Sequence, residues 1–590
     1  MKIKSLKYTR KYTGWALPLF FLLIFGLNSC NDEMLLVQIS KSDLTDAAIL
    51  NSKAGFDYYI NGLIYQFRDE WQVDDGTYWK MFTCTDMYNF VDPEEKPQRA
   101  DWRIDYTPES SFAEKYWNWA YIKMIPMANN IITFAQKPEN ESIWNSEEEK
   151  NAIIAEGKFF RAWTYNILAN LFGDAIIIED GLLEPKYDFS RSPRQEVYEL
   201  CRRDLEFAAE WLPKAAEPAN IDRGKEGRVM KAAAQHLLTE VCISLGDYPA
   251  AIASATDLIE SGRYHLMTTR FGSAQNDPGD PFSDLFKEGN FNRSSGNMES
   301  ILVWQIEENI EGGIGSYGRG NNFVRGFAPF LVNYKDADGV YGWVYEPSNP
   351  GTDTLGRGAG FVRPSNYALY EIWQDDWDDM RNSEYNMRRK FYYNNPASRF
   401  YGTQWDPSQI SGEKDTSRRV YAYSLKVEGP FFQGGEGDYK GRTTKDVYVI
   451  RLAETYLLRA EAYFRNNDPT NAAKDINELR SRANAKPVGA GEVDLDYILD
   501  ERARELMTEE TRTRTLIRMG NLVERVRKYD IDPVSRETVE DFNLFWPILS
   551  RQLMPIQDPF CNKTTGTVRI KGKSRYRYKL CGSWRIEVRD

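Results

Sequence analysis

The sequence predicts a mainly α fold, a scaffold of tetratricopeptide-like helical hairpins that carries a long loop-rich insert with a few short strands. Three observations carry the prediction. Apolar residues recur at helical spacing from about residue 45 to 270. Two stretches, 231–261 and 452–483, read as helical hairpins with small residues where the helices would touch. Between them, from about 270 to 445, Gly, Pro, Asn, Asp and aromatics take over and the periodicity fades.

In chain order, Lys2, Lys4, Lys7, Arg10 and Lys11 precede an apolar run over 15–27. That run is too short to span a bilayer and suits a signal-peptide core. Leu27-Asn28-Ser29-Cys30 resembles a bacterial lipobox, in which Cys30 is lipidated and becomes the mature N-terminus. The alternative is an ordinary secretory signal with a chance cysteine. Asn31-Asp32-Glu33 resembles a surface-export signal of Bacteroidetes lipoproteins, so the expected place is the outer membrane, lipid-anchored and cell-surface exposed. Helices are then expected over 151–171, stopping at Gly173, and over 195–212, stopping at Pro213. The first hairpin is 231–245, a Gly246-Asp247-Tyr248 turn and 250–261, with Ala233, Ala234, Ala251 and Ala255 small. Short strands are expected near 301–306 and 447–450. In the second hairpin Ala460, Ala462, Ala472 and Ala473 allow close approach. The two units lie about 220 residues apart, so no tandem solenoid is expected.

Composition narrows the function. A hydrophobic content of 42% is enough for a real core. Removal of 1–29 leaves 70 basic against 87 acidic residues, a net charge of −17 that disfavours nucleic acid and anionic membrane. Neutral ligands are the easier expectation. Cys84, Cys201 and Cys242 are scattered and read as buried free thiols.

Several motifs occur in order: Ala155-Glu156-Gly157-Lys158-Phe159-Phe160-Arg161-Ala162; Leu171-Phe172-Gly173-Asp174; Val197-Tyr198 with Asp204-Leu205 and Leu212-Pro213; Gly227-Arg228 leading into Ala232-Ala233-Ala234; Arg451-Leu452-Ala453-Glu454 with Arg459-Ala460-Glu461-Ala462; and Glu501-Arg502-Ala503-Arg504-Glu505-Leu506. Together, behind a lipobox, they resemble the SusD/RagB family of Bacteroidetes outer-membrane nutrient-binding lipoproteins. One departure is that Glu510 and Thr515 stand where the family more often has Gly and Asp. The resemblance implies a SusD-like fold divided as signal peptide 1–29, N-terminal helical region 30–270, loop-rich aromatic ligand-binding region 271–445 and C-terminal helical region 446–548. It also implies capture of an oligosaccharide and its delivery to a SusC-like TonB-dependent transporter, with the lipoprotein as a lid over the barrel.

The tail 549–590 does not fit. It holds ten basic and three acidic residues, opposite to the rest of the chain. Permitted codons read two bases later spell P-Q-S-A-I-D-A-N-T-G-S-V-L-Q-Q-N-H-G-Y after Ile548, which looks like the family's missing ending. A one-base frameshift after Ile548 is therefore expected; a divergent tail is the alternative.

Nothing points to catalysis. His236 and His265 read as packing or surface residues, and no cysteine cluster has zinc spacing. Gly313 to Gly318 spells GxGxxG without a βαβ setting. Asp375-Asp376 and Asp378-Asp379 suggest a solvated acidic face or a weak structural calcium site before a glycosidase pair. No cofactor is expected. A sugar ring packs its C–H face on an aromatic plate while flanking polar groups take its hydroxyls. The candidate plates are Trp102 (with Asp101 and Arg103), Tyr317, Trp343 and Trp405. The rival functions are a surface glycoside hydrolase and a peptide-binding or protein-interaction scaffold.

Overall fold

The computed structural model describes residues 45–548 apart from 70–77, 92–99, 182–187, 218–219, 222–224, 308–312, 314–319, 345–356, 411–414 and 430–442; beyond 548 it describes one strand pair. Cys30, Tyr317, most of the GxGxxG stretch and most of the tail therefore lie outside the described residues.

Several helices begin where a side chain caps them. We number the principal ones α1 (Lys53–Asp69), α2 (Ser111–Asn118), α3 (Ile125–Ala135), α4 (Glu147–Phe172), α5 (Arg194–Trp211), α6 (Lys231–Leu245) and α7 (Tyr248–Ile259). After the insert come α8 (Leu452–Arg465), α9 (Pro469–Arg482), α10 (Leu495–Glu505), α11 (Arg512–Met519) and α12 (Leu522–Tyr529). The Ser146 hydroxyl accepts the Glu149 N–H at the start of α4, where Glu147, Glu148 and Glu149 also suit the positive end of the helix dipole. Gly173, at φ 77°, ends it in a conformation that a side chain would strain. Both hairpins turn alike: Asp247 caps α7 and Asp468 caps α9, each followed by proline in the first turn.

The hairpins are distant in sequence but adjacent in space. Helix α7 packs on α8, with Leu458 and Ala462 set against Cys242, Ile243 and Ala251. The helical layers thus run α4, α5, α6, α7, α8, α9 without a break. The His236 ring crosses the seam, with Nδ1 at 2.8 Å from the Thr455 hydroxyl. Cys84, Cys201 and Cys242 are buried free thiols, and His265 is exposed.

The insert is closed at its base by two strands. Strand Ser300–Trp304 pairs antiparallel with Val447–Arg451, joining the two expected strand segments to each other. A second ladder, Tyr88–Phe90 with Val362–Pro364, ties the insert to the N-terminal region. One apolar core runs from Leu50 to Trp546 through scaffold and insert alike.

Under the insert lies a lattice of buried charge. The Glu505 carboxylate accepts Nη1 of Arg381 at 3.0 Å, Nη1 of Arg451 at 2.8 Å and Nη2 of Arg482 at 2.5 Å. Arg381 also binds Asp379 and Glu501, and Arg480 binds Glu501 and Asp376. The insert residues Asp376, Asp379 and Arg381 are thereby fastened to α9 and α10.

Among the described residues, one buried lysine near this lattice, Lys445, has no carboxylate ion pair. Lys445 Nζ donates to the carbonyls of Lys426 and Glu428, each at 2.6 Å. A neutral amine has two N–H groups for those two acceptors, and burial pushes the amine down to about 7. The unfolded chain then holds more protons than the folded chain between about pH 7 and 10.5, so stability rises with pH across that window. Lys426, lowered to about 8 by burial, has the same sign. We expect the melting temperature to climb from pH 7 to 9 and Lys445→Met to flatten the climb; parallel curves would remove this role from Lys445.

Candidate functional site

Separate contacts tie the N-terminal region and the insert to one another. Tyr78 stacks on Phe323 with ring centroids 5.9 Å apart and planes 3° apart. The Val91 N–H donates to the Phe361 carbonyl at 2.8 Å, and Asn321 and Thr443 exchange backbone hydrogen bonds at 2.9 and 3.0 Å. Arg68 donates to the carbonyls of Gln305 and Gly313 at 2.7 and 2.9 Å.

The three described sequence candidates fall inside, not at the surface. Trp102 is 1% exposed, stacked on Tyr106 at 4.0 Å, and its Nε1 donates to the Ser535 hydroxyl at 2.9 Å. It offers no face to a sugar; it anchors its short helix to Pro533–Thr538. Trp343 is 2% exposed, stacked on Tyr393 at 5.0 Å and 20°, and its Nε1 donates to the Tyr392 carbonyl. Trp405 is 8% exposed and meets Tyr334 edge to face at 6.2 Å. Trp343 and Trp405, with Tyr334, Tyr393 and Phe400, are the inner core of an aromatic lobe. Large rings in a loop region with few helices are its main source of buried apolar area, so packing claims them first.

The rings on the surface are others. Tyr341, Tyr370, Trp377, Tyr385, Tyr392 and Tyr401 are exposed, and they account for six of the nine exposed aromatics among the described residues. Trp377 is held as a fixed plate. Its carbonyl accepts Asn382 Nδ2 at 2.8 Å, and Asn382 Oδ1 accepts Arg389 Nη2 at 2.6 Å. The Arg389 guanidinium lies 4.9 Å from the Trp377 ring centre and 5.8 Å from that of Tyr370. Two sequence signals pointed here. A tryptophan inside Asp375-Asp376-Trp377-Asp378-Asp379 is flanked by residues that burial disfavours. Tyr392-Tyr393 lies in extended chain, where neighbours face opposite sides; Tyr393 packs inward and Tyr392 faces out.

One carboxylate of each aspartate pair that could have suggested hydrolysis has structural partners. Asp376 accepts the Lys486 N–H and Arg480 Nη2, and Asp379 accepts both Nε and Nη2 of Arg381. Among the described residues, no three His, Cys, Asp or Glu side chains form a group that could hold a metal ion. No described helix is long and apolar enough to cross a membrane.

Comparison with known proteins agrees with this architecture. The profile described as the SusD family matches residues 332–572, and one described as starch-binding associating with outer membrane matches 41–239. Two SusD-like proteins of Formosa agariphila are similar. One is 25% identical over 68% of this chain and 69% of its own length; the other is 23% identical over 92% and 98%. The solved structure of a laminarin-binding SusD-like protein superposes with a TM-score of 0.62 at 19% identity, covering 85% of this chain and 98% of that one. The helical scaffold, the insert anchored across it and these matches lead to one conclusion: the chain is a SusD-like protein of the SusD/RagB family.

Proposed function

We propose that this protein is a cell-surface glycan-binding lipoprotein that captures an oligosaccharide and passes it to a SusC-like TonB-dependent transporter in the outer membrane. The observation that carries the reading is the concentration of exposed aromatic rings between Tyr341 and Tyr401, with Trp377 held rigid by Asn382 and Arg389. Trp377 and Tyr370 are exposed rings that share one guanidinium, and Glu371, Asp375 and Asp378, their neighbours in the chain, are exposed as well. The rings stack on sugar faces and the acids and amides take hydroxyls. The laminarin-binding relative supports a glycan as cargo. The acidic surface favours a neutral chain over a polyanionic one. Lipidation at Cys30 supplies the anchor, the division at residues 270, 445 and 548 gives scaffold, ligand-binding insert and scaffold again, and the tail past Ile548 is read out of frame.

Calorimetry of the chain after Cys30 against neutral glycans, laminarihexaose among them, tests this. One glycan class should bind, and Trp377→Ala or Tyr392→Ala should weaken it about tenfold, the equivalent of about 1.4 kcal/mol, with unchanged melting. Release of new reducing ends would establish a hydrolase instead. A folded chain that binds no glycan, but retains a peptide or a protein partner, would establish the scaffold reading.

A further inference from the structure

A cleft of about 530 Å³ lies between residues 273–288, 384–388 and 425–429. Its size falls in the range of about 300–1,000 Å³ typical of clefts for small ligands, into which a disaccharide fits. Among the described residues, the charged side chains that line it balance: Lys287, Arg388 and Lys426 against Glu288, Glu384 and Glu428. A cleft for phosphate or a uronate would carry a cationic excess. This one carries none, so its field selects an uncharged ligand.

The lining supplies what a polyol needs. Arg388 and Glu428 form a planar fork, Nε to Oε1 at 2.6 Å and Nη2 to Oε2 at 2.9 Å. The Tyr423 hydroxyl donates to the same carboxylate. Each partner fixes the other, and the side chains remain 28% and 12% exposed. Carboxylate lone pairs and guanidinium N–H groups then stand side by side at a spacing that adjacent hydroxyls can bridge. Beneath them Lys445 holds the backbone carbonyls of Lys426 and Glu428. Asn386, tied to Asp280 and Ser383, fixes the segment that presents the Tyr385 ring. That ring is 38% exposed and gives the cleft an apolar plate.

We propose that this cleft is a second saccharide subsite, in which Tyr385 stacks on a neutral sugar and the Arg388–Glu428 fork binds two adjacent hydroxyls. The proposal rests on the glycan-binding reading and adds a site to it.

Hydrogen exchange and calorimetry of the chain after Cys30 test it, with laminarihexaose and maltohexaose as neutral probes and a hexamer of galacturonate as the charged control. Neutral probes should protect the backbone of 384–388 and 425–428. Tyr385→Ala, and Arg388→Lys, which keeps the charge and loses the fork, should abolish that protection and lower the number of sites, with melting unchanged. Trp377→Ala should leave it in place. Glycan binding that is lost in Trp377→Ala while 384–388 never gains protection would overturn the subsite and leave the parent reading intact. No binding of either neutral probe to the wild-type chain would overturn both. Preferential protection by the galacturonate hexamer would overturn the assignment to neutral sugars.

Discussion

Glu505→Ala is expected to be the most damaging single substitution in the described chain, at about 3–5 kcal/mol, the usual cost of removing one partner from a buried charge pair. The carboxylate is fully buried and receives three guanidiniums, those of Arg381, Arg451 and Arg482. Those three cations pull its pKa well below the ordinary carboxylate range, against the opposing effect of burial. Deleting it leaves Arg482 with Glu299 alone, and Arg381 and Arg451 short of one acid each. A native chain has about 5–15 kcal/mol in hand, so this loss consumes a large share of it. Urea denaturation should show a midpoint shift of that size, or no folded protein should be recovered. The defect should also reach the insert, because Arg381 lies one residue from Asn382, which holds Trp377. Glu505→Gln keeps the shape and removes the charge; if it melts like wild type, the lattice contributes packing alone and this account of it fails.

The lattice also explains what the sequence disclosed and what it withheld. All the family-like motifs but Leu171-Phe172-Gly173-Asp174 carry one half of an ion pair whose other half sits in another motif. Glu156 binds Arg228, Arg161 binds Asp204, Arg451 binds Glu505 and Glu454 binds Arg502. The motifs were legible because a buried charge restricts the residue types around it; the pairing was not, because nothing in a linear pattern says which charge meets which. Helices were legible to within a few residues, since capping by Ser146, Asp247 and Asp468 is local chemistry. The stacking of the two hairpins was hidden by the insert between them. The ligand plates were the least legible part. Trp102, Trp343 and Trp405 look no different in composition from Trp377, and only the partners of each ring decide which is packed and which is free. Local cues existed in the aspartates around Trp377 and the doubled Tyr392-Tyr393, and both depend on how burial treats charge and on how extended chain alternates.

The departure at positions 510 and 515 is a relocated charge, and a double substitution should reveal it. Glu510 is buried, and its carboxylate accepts Arg502 Nε, Arg512 Nη1 at 2.9 Å and the Thr515 hydroxyl at 2.9 Å. The family pattern that the sequence resembles more often has glycine and aspartate at these two places. Because Thr515 already touches the Glu510 carboxylate, an aspartate at 515 would bring its own carboxylate close to the same two guanidiniums. Glu510→Gly alone should cost about 3 kcal/mol, toward the lower end for a broken buried pair, since Arg502 retains Glu454 and Arg512 retains Asp86. Thr515→Asp alone should also destabilise, because it sets two carboxylates side by side. The double variant should recover most of the loss, with a coupling energy of about 1–3 kcal/mol, the range for residues in one charge network. Any backbone penalty of glycine is common to the single and the double variant and drops out of the cycle. Additive losses would mean that the acid at 510 does a different job, and that the two departures arose independently of each other.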